Sequence, residues 1–170
     1  DEVTVFPSRQ SAVVMSVRHA GVAVDGCEAG QSAGVLLDRQ LDVSRGDWLL
    51  GPGGAAPIDQ FTATLAWLDT EPAVIGRKYV VRHGNRWVQA RIESIDSVLD
   101  IHSLQAQEAH ELPVNTIGRV QMEVQHALPV EPFEFNRVGG ALIVVDPTTH
   151  RTSGALLVDV PVAAPAEEDW

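Results

Sequence analysis

Phe61-Thr62-Ala63-Thr64-Leu65-Ala66-Trp67 carries the clearest structural signal in the sequence. Its odd-numbered residues are the more apolar ones, and the residues between them are small or polar. A period of two is that of a β-strand with one face turned toward a core. Segments 88–92 and 120–124 repeat the alternation. The sequence therefore predicts an all-β fold built from half-buried strands.

Other segments refine this prediction. Gly84-Asn85 predicts a tight hairpin turn between strands 78–83 and 86–95, since both residues tolerate positive φ. Gly140 to Val145 is apolar on both faces, which predicts a strand covered by its own core on one side and by a further packed element outside. Only Leu104 to Leu112 has helix-forming composition, and a helical turn or an irregular loop fits it equally well.

Turn-forming residues at Gly51 to Pro57 predict a boundary between two modules. We expect a partial β-barrel at 1–52, a linker at 53–59 and a complete barrel at 60–160. The first module offers only four short strands, which are few for a closed barrel. Residues 161–170 are rich in Pro, Ala and acids, which predicts a disordered tail or a linker to a further domain.

Composition limits the partners. The formal net charge is -11 and the sequence pI is near 4.8, so the protein's field repels polyanions and disfavours nucleic acid. Lys78 is the only lysine, and no Gly-Lys-Ser/Thr loop for a triphosphate exists. Cys27 is the only cysteine, which excludes an internal disulfide. No long apolar run and no signal peptide occur, so we expect the cytoplasm and no membrane partner.

Candidate chemical residues are scattered. No two histidines have a metal-ligand spacing, so they are expected to be isolated surface residues, and no catalytic, cofactor-binding or metal residue is expected. The six are His19, His83, His102, His110, His126 and His150. A basic cluster falls within one hairpin, where a solvated outer face spread around the hairpin and a docking surface for an acidic partner both remain open. Its members are Arg77, Lys78, Arg82, Arg86 and Arg91.

An ordered set of motifs carries a family resemblance. The segments are Leu41 to Asp47, Leu112 to Val120 and Phe133 to Asp146. In order and spacing they resemble the tandem β-barrels, of the elongation-factor domain II/III type, that follow the GTPase domain in the large subunit of bacterial sulfate adenylyltransferase. Thr152 to Ala155 keeps only part of a glycine-rich family motif, and Pro147 to His150 replaces an asparagine-rich turn.

The resemblance implies GTP-driven synthesis of adenylylsulfate and pyrophosphate from ATP and sulfate. GTP and Mg would then belong to a GTPase domain missing from this sequence. The partners implied are that domain, the small adenylyltransferase subunit and, in some members, a downstream adenylylsulfate kinase. The chain itself would transmit the GTPase state without an active site of its own.

An interface with another module is expected at strand 140–145 or the turn at Asn136, and burial within the chain is the alternative. The candidate interface residues are Asn115, Gly118, Asn136, Gly139, Gly140, Arg82 and Arg86. Two other functions remain open. The barrels could bind RNA as domains II and III of a translation-type GTPase, or the chain could be a free-standing ligand-binding barrel.

Overall fold

Antiparallel strands form the regular structure of the computed structural model, which describes residues 1–99, 106–107 and 110–160. No helix occurs in those ranges, so none of the described residues forms a helix able to cross a membrane. The prediction of an all-β fold is confirmed. The chain separates into two compact units, Asp1–Ala55 and Ala56–Trp170.

The first unit is an open sheet. Its strands are β1 (Glu2–Phe6), β2 (Gln10–His19), β3 (Val22–Val24), β4 (Gly34–Leu37) and β5 (Trp48–Leu50). The order is β3-β2-β1-β5, and β4 also pairs with β2. Val5, Phe6 and Ala12 are buried, whereas Met15, Val22 and other apolar residues are exposed. The described strands thus form an incomplete barrel with a small core, as predicted.

The second unit is a closed barrel. Its strands are β6 (Ile58–Trp67), β7 (Ala73–Val74), β8 (Lys78–His83), β9 (Arg86–Leu99), β10 (Ala106–Gln107), β11 (Glu111–Leu112), β12 (Thr116–Leu128), β13 (Ala141–Val145) and β14 (Thr152–Val158). The order β9-β12-β6-β14-β13-β8 returns to β9 through the β8–β9 pairing, which closes six antiparallel strands. The short strand β10 pairs with β9, and β11 pairs with β7.

Alternation along the strands fills the barrel. Phe61, Ala63, Leu65 and Trp67 all point into the buried cluster. Within it the rings of Trp67 and Tyr79 meet edge to face, with centroids 5.5 Å apart. The hairpin turn at Gly84-Asn85 is confirmed, since β8 and β9 pair up to His83 and Arg86.

The helical alternative for Leu104 to Leu112 is wrong where the chain is described. Ala106–Gln107 pairs with β9, and Glu111–Leu112 pairs with β7. Strand pairing and the complete burial of Leu112 outweigh local helix propensity there. Residues 100–105 and 108–109, and the predicted tail at 161–170, lie outside the described residues.

Candidate functional site

The predicted interface residues occupy both ends of the second barrel. Asn115 lies beside the end of β6, where its amide donates to the Trp67 carbonyl oxygen at 2.9 Å. Gly118 is buried nearby in β12, and a Cβ there would lie 2.8 Å from the Ser97 carbonyl oxygen. The other five residues gather at the opposite end, so the structure does not bring all seven into one surface.

Residues 131–140 form a loop between β12 and β13, and we call it the 131–140 loop. The amides of Phe135 and Asn136 both donate to the Pro132 carbonyl oxygen at 3.0 Å. The Asn136 side-chain oxygen accepts from the amides of Val138 at 3.1 Å and Gly139 at 3.0 Å. Its Nδ2 donates to a carboxylate oxygen of Glu131. The loop backbone is therefore fixed by its own hydrogen bonds.

Gly139 and Gly140 allow this loop to close. A Cβ on Gly140 would lie 2.5 Å from the backbone of Phe133, closer than real contacts permit. A Cβ on Gly139 would lie 3.0 Å from the Asn136 amide nitrogen. The loop is also anchored to β14, because the Phe133 amide donates to the Val158 carbonyl oxygen at 2.9 Å. Gly140 thus allows close packing against backbone, whereas Gly139 leaves room for the side chains of Asn136 and Glu131.

His83 joins the end of β8 to the same loop. The prediction of an isolated surface histidine is wrong here, because His83 is fully buried. Its Nε2 lies 2.9 Å from the Gly139 carbonyl oxygen, which makes Nε2 the donor. Burial lowers the pKa of the His83 imidazole, and the contact with Gly139 opposes that shift. Neutral His83 therefore ties β8 to the loop.

Two large apolar side chains project from the loop. Phe135 is 74 % exposed and Val138 is 70 % exposed. Exposed apolar residues are common singly, and here two large ones lie three positions apart in one hydrogen-bonded loop, which makes the loop a candidate contact surface. The sequence analysis missed both residues, since neither has a periodic or chemical signal of its own.

A second apolar surface runs across the outside of the barrel. The outer strip consists of Trp87, Arg82, Ile143 and Leu157 on β9, β8, β13 and β14. The register pairs Trp87 with Arg82, and Arg82 with Ile143. The Arg82 guanidinium lies 5.6 Å from the centre of the Trp87 ring, a cation–π distance. The strip is therefore a mixed aromatic, cationic and aliphatic surface.

The register divides the basic cluster. Lys78 is paired with Arg91 as Arg82 is with Trp87, and directly paired residues point to the same side of a sheet, so these residues share the outer face. Arg86 is instead paired with the buried His83, and Arg77 precedes β8 and pairs with Asp146. Ile143 is 39 % exposed, so the outer side of β13 is partly open to solvent.

The end of the barrel near Trp67 is built from polar contacts. Asp146 pairs with Arg77 at 2.9 Å and accepts from the amides of Thr148 and Thr149 at 2.8 Å. The buried Ser153 hydroxyl donates to Asp69 at 2.8 Å. The Thr149 amide, with Thr148, holds the pKa of Asp146 below its usual value, and the Ser153 hydroxyl does the same for the pKa of Asp69. These groups support the turns at this end.

Several charged side chains of the second unit make contacts within the fold. Among them, no three His, Cys, Asp or Glu side chains gather closely enough to hold a metal ion. A cleft of about 800 Å³ includes Arg119 and Asp159, but these two form an ion pair at 3.3 Å. Asp159 also accepts from Thr64 at 3.0 Å, so both charges already have structural contacts.

Along the described chain, a closed six-stranded barrel follows a sheet unit. The crystal structure of sup35 complexed with GDP has this fold, with a TM-score of 0.82 at 18% identity over 95% of this chain and 40% of that one. The chain belongs to the GTP-eEF1A C-terminal domain-like family, whose model matches residues 60–159.

The relatives identified by sequence point to a narrower group of proteins than the fold does. Bifunctional enzyme NodQ of Azospirillum brasilense is 35% identical over 161 residues, which is 94% of this chain and 26% of the relative. Sulfate adenylyltransferase subunit 1 of Shewanella woodyi is 28% identical over 163 residues, 95% of this chain and 35% of the relative. The chain is homologous to the C-terminal part of such subunits and spans about a third of their length or less, and the resemblance stated above is confirmed.

Proposed function

We propose that this chain is the β-barrel region of the GTPase subunit of a sulfate adenylyltransferase, and that it transmits the state of the GTPase domain without an active site of its own. The observation that carries the proposal is the rigid 131–140 loop, which exposes Phe135 and Val138 in a chain homologous to that enzyme subunit. A signal can pass through such a contact because the loop is stiff.

The loop suits docking for energetic reasons. A partner that covers Phe135 removes a large apolar side chain from water, and preformed loops lose little entropy on binding. Aromatic anchors of this kind carry much of the affinity in protein interfaces. Asn136, Gly139 and Gly140 contribute by holding the loop, while Arg82 and Arg86 lie beside the hairpin at the same end.

The partners follow from the proposed enzyme. They are the GTPase domain, which would hold GTP and Mg, the small adenylyltransferase subunit and, where present, an adenylylsulfate kinase. The chain would act in the cytoplasm, as part of an enzyme that makes adenylylsulfate from ATP and sulfate. In this proposal Asn115 and Gly118 help to shape the opposite end of the barrel. Gly118 is buried there, in β12.

The test is a binding titration with separately expressed GTPase domain and small subunit of a sulfate adenylyltransferase. The chain is expected to bind the GTPase domain with different affinities in the presence of GDP and of a non-hydrolysable GTP analogue. Phe135→Ser should weaken binding about tenfold or more. Leu68→Ser is the matched control, since Leu68 is 55 % exposed at the other end of the barrel.

Three results would contradict the proposal. One is the absence of binding to both proteins, and another is an equal loss of affinity in Leu68→Ser and Phe135→Ser. The third is formation of adenylylsulfate by the chain alone. Salt-sensitive micromolar binding of tRNA would instead favour the translation-type alternative. The ligand-barrel alternative would be favoured by a closed first module, whereas the described strands of the first unit form an open sheet.

A further inference from the structure

The outer face of β13 and β14 is apolar, although the solvent side of an antiparallel sheet is usually polar. Two adjacent rows of paired residues cross this face, and all but one of their side chains are apolar. The first row is Trp87, Arg82, Ile143 and Ala155, and the second is Ala141 and Leu157. Contiguous apolar surface of this kind is typical of a site where another molecule binds.

A shallow groove of about 370 Å³ lies in this face. Small residues and large residues alternate around it. The small ones are Gly84, Ala141 and Ala155, and the large ones are Arg82, Ile143 and Leu157. Because the small residues leave a depression between the large ones, the groove can accept a large aliphatic side chain next to Arg82.

Arg82 is positioned for a carboxylate at the side of the groove. Its Nε donates to the Gly84 carbonyl oxygen at 2.9 Å, and its Nη2 donates to the Asn85 side-chain oxygen at 3.2 Å. The ring of Trp87 lies against the guanidinium as described above. A guanidinium has five N–H donors, so donors remain for a carboxylate. Among the described residues, no acidic side chain forms an ion pair with Arg82.

The charges around the groove favour an acidic partner. No acidic residue lines the groove, and Lys78 shares the outer face of β8 with Arg82. Of the two acids in the neighbouring depression, Asp159 is paired with Arg119 whereas Glu134 is exposed. The net charge of -11 is carried by the whole chain, and at physiological salt charges farther away than about 8 Å are largely screened. The groove is therefore locally complementary to a carboxylate.

We propose that the groove binds an acidic, extended peptide segment of a partner protein, with a carboxylate on Arg82 and a large aliphatic side chain between Ile143 and Leu157. Trp and Arg are the residues that most often dominate the affinity of protein interfaces, and Trp87 and Arg82 lie side by side here. This surface uses residues outside the 131–140 loop, so the inference goes beyond the proposed function and does not rest on it.

The spacing of the strands sets the spacing of the side chains in the peptide. Ala155 lies two strands from Arg82 in the same row, and neighbouring strands are about 4.8 Å apart, so the groove lies about 5 to 10 Å from the row position of Arg82. Side chains two positions apart in an extended peptide lie on one side and are about 7 Å apart. We therefore expect the acidic residue of the peptide to lie two positions from the aliphatic one.

An NMR titration of the full chain with a capped peptide tests the proposal. The probe is acetyl-Ser-Glu-Ser-Leu-Ser-amide. The amide resonances of Arg82, Ile143 and Leu157 are expected to shift until they saturate, with a Kd in the millimolar range, whereas that of Gln121 on the outer face of β12 stays in place. Replacing Glu by Gln, or Leu by Ser, in the peptide should weaken binding about fivefold or more.

Substitutions in the chain provide the matched test. Arg82→Gln should weaken binding about fivefold and remove most of its dependence on salt. Ala155→Leu keeps the arginine but fills the groove, and it should abolish binding. Arg151→Gln, next to the start of β14 at the other end of the barrel, should change nothing.

Three outcomes would overturn the proposal. One is the absence of saturating shifts at tens of millimolar peptide, and another is equal affinity for the Glu and Gln peptides. The third is binding by Ala155→Leu as tight as by the unaltered chain. The comparison of peptides needs no variant of the chain, so it decides the question even where a substitution disturbs folding.

Discussion

The two ends of the second barrel are stabilised in different ways. Near Trp67, side chains hold the turns through ion pairs and hydrogen bonds. They are the side chains of Asp146, Arg77, Asp69 and Ser153. At the other end, the 131–140 loop is held mainly through its backbone. In the 131–140 loop, backbone hydrogen bonds leave large side chains such as Phe135 exposed, whereas at the Trp67 end the side chains are used to support the turns.

The largest effect is expected from a substitution in the 131–140 loop, the part held mainly through its backbone. In Gly140→Ala the new Cβ meets the Phe133 backbone at 2.5 Å, and backbone cannot move aside cheaply. We expect a loss of about 3 kcal/mol in the free energy of unfolding, measured by urea denaturation. Gly26→Ala is the control, because a Cβ there meets nothing within 4 Å. Equal stability of the two variants would show that the loop is not tightly closed.

The polar end is expected to give a smaller effect. Ser153→Ala removes a buried hydroxyl whose hydrogen bond to Asp69 is 2.8 Å long. The free energy of unfolding should fall by about 1.5 kcal/mol, a usual value for a hydrogen bond to a charged group. Ser94→Ala removes a bond of the same length to Asp96 in an exposed position and should cost less than about 0.5 kcal/mol. A larger loss in Ser94→Ala would contradict the contrast.

Lowering the pH is expected to destabilise the two ends of the barrel in different pH ranges. The pKa of folded His83 lies below its ordinary value of 6.5, so unfolding favours its protonation and stability falls as pH drops below about 6.5. The pKa values of folded Asp69 and Asp146 lie below 3.8, so their contribution is present above 3.8 and is lost below it.

Thermal melting against pH is therefore expected to show two stages. In the folded chain the amide shift of Gly139 should change only when His83 itself takes a proton, below pH 6.5, and those of Thr148 and Thr149 only when Asp146 does, below pH 3.8. A single transition below pH 3.8 that moves both sets of amides together would remove the distinction.

The smallest effect is expected at Phe135. Phe135→Ser should change the free energy of unfolding by less than about 0.5 kcal/mol, because the side chain is 74 % exposed. Phe61→Ser is the matched comparison and should cost about 3 kcal/mol or more, since Phe61 is in the core. A strong destabilisation by Phe135→Ser would show that the residue serves the fold, not a partner.

The sequence predicted what alternation and turn chemistry determine. The strand at Phe61 to Trp67, its buried face and the hairpin at Gly84-Asn85 follow from the period of two and from positive φ. The open sheet of the first unit was predicted from too few strands. These features are local, so neighbouring residues specify them.

Contacts between distant strands could not be predicted in this way. His83 is buried because the loop around Gly139, far away in sequence, closes over it. The outer strip depends on the register between β8, β9, β13 and β14, and alternation within each strand does not reveal it. The exposure of Phe135 depends on hydrogen bonds that Asn136 makes within a folded loop.

The pairing of β8 with β9 has a consequence for recognition. Where the six described strands pair with one another, their amide and carbonyl groups are taken up within the ring, so a foreign strand cannot add to those stretches by backbone hydrogen bonding. Whatever approaches the ring must distinguish it by the shapes and charges of individual residues. Point substitutions on its exterior should therefore be able to redirect the choice of partner while the ring itself stays intact.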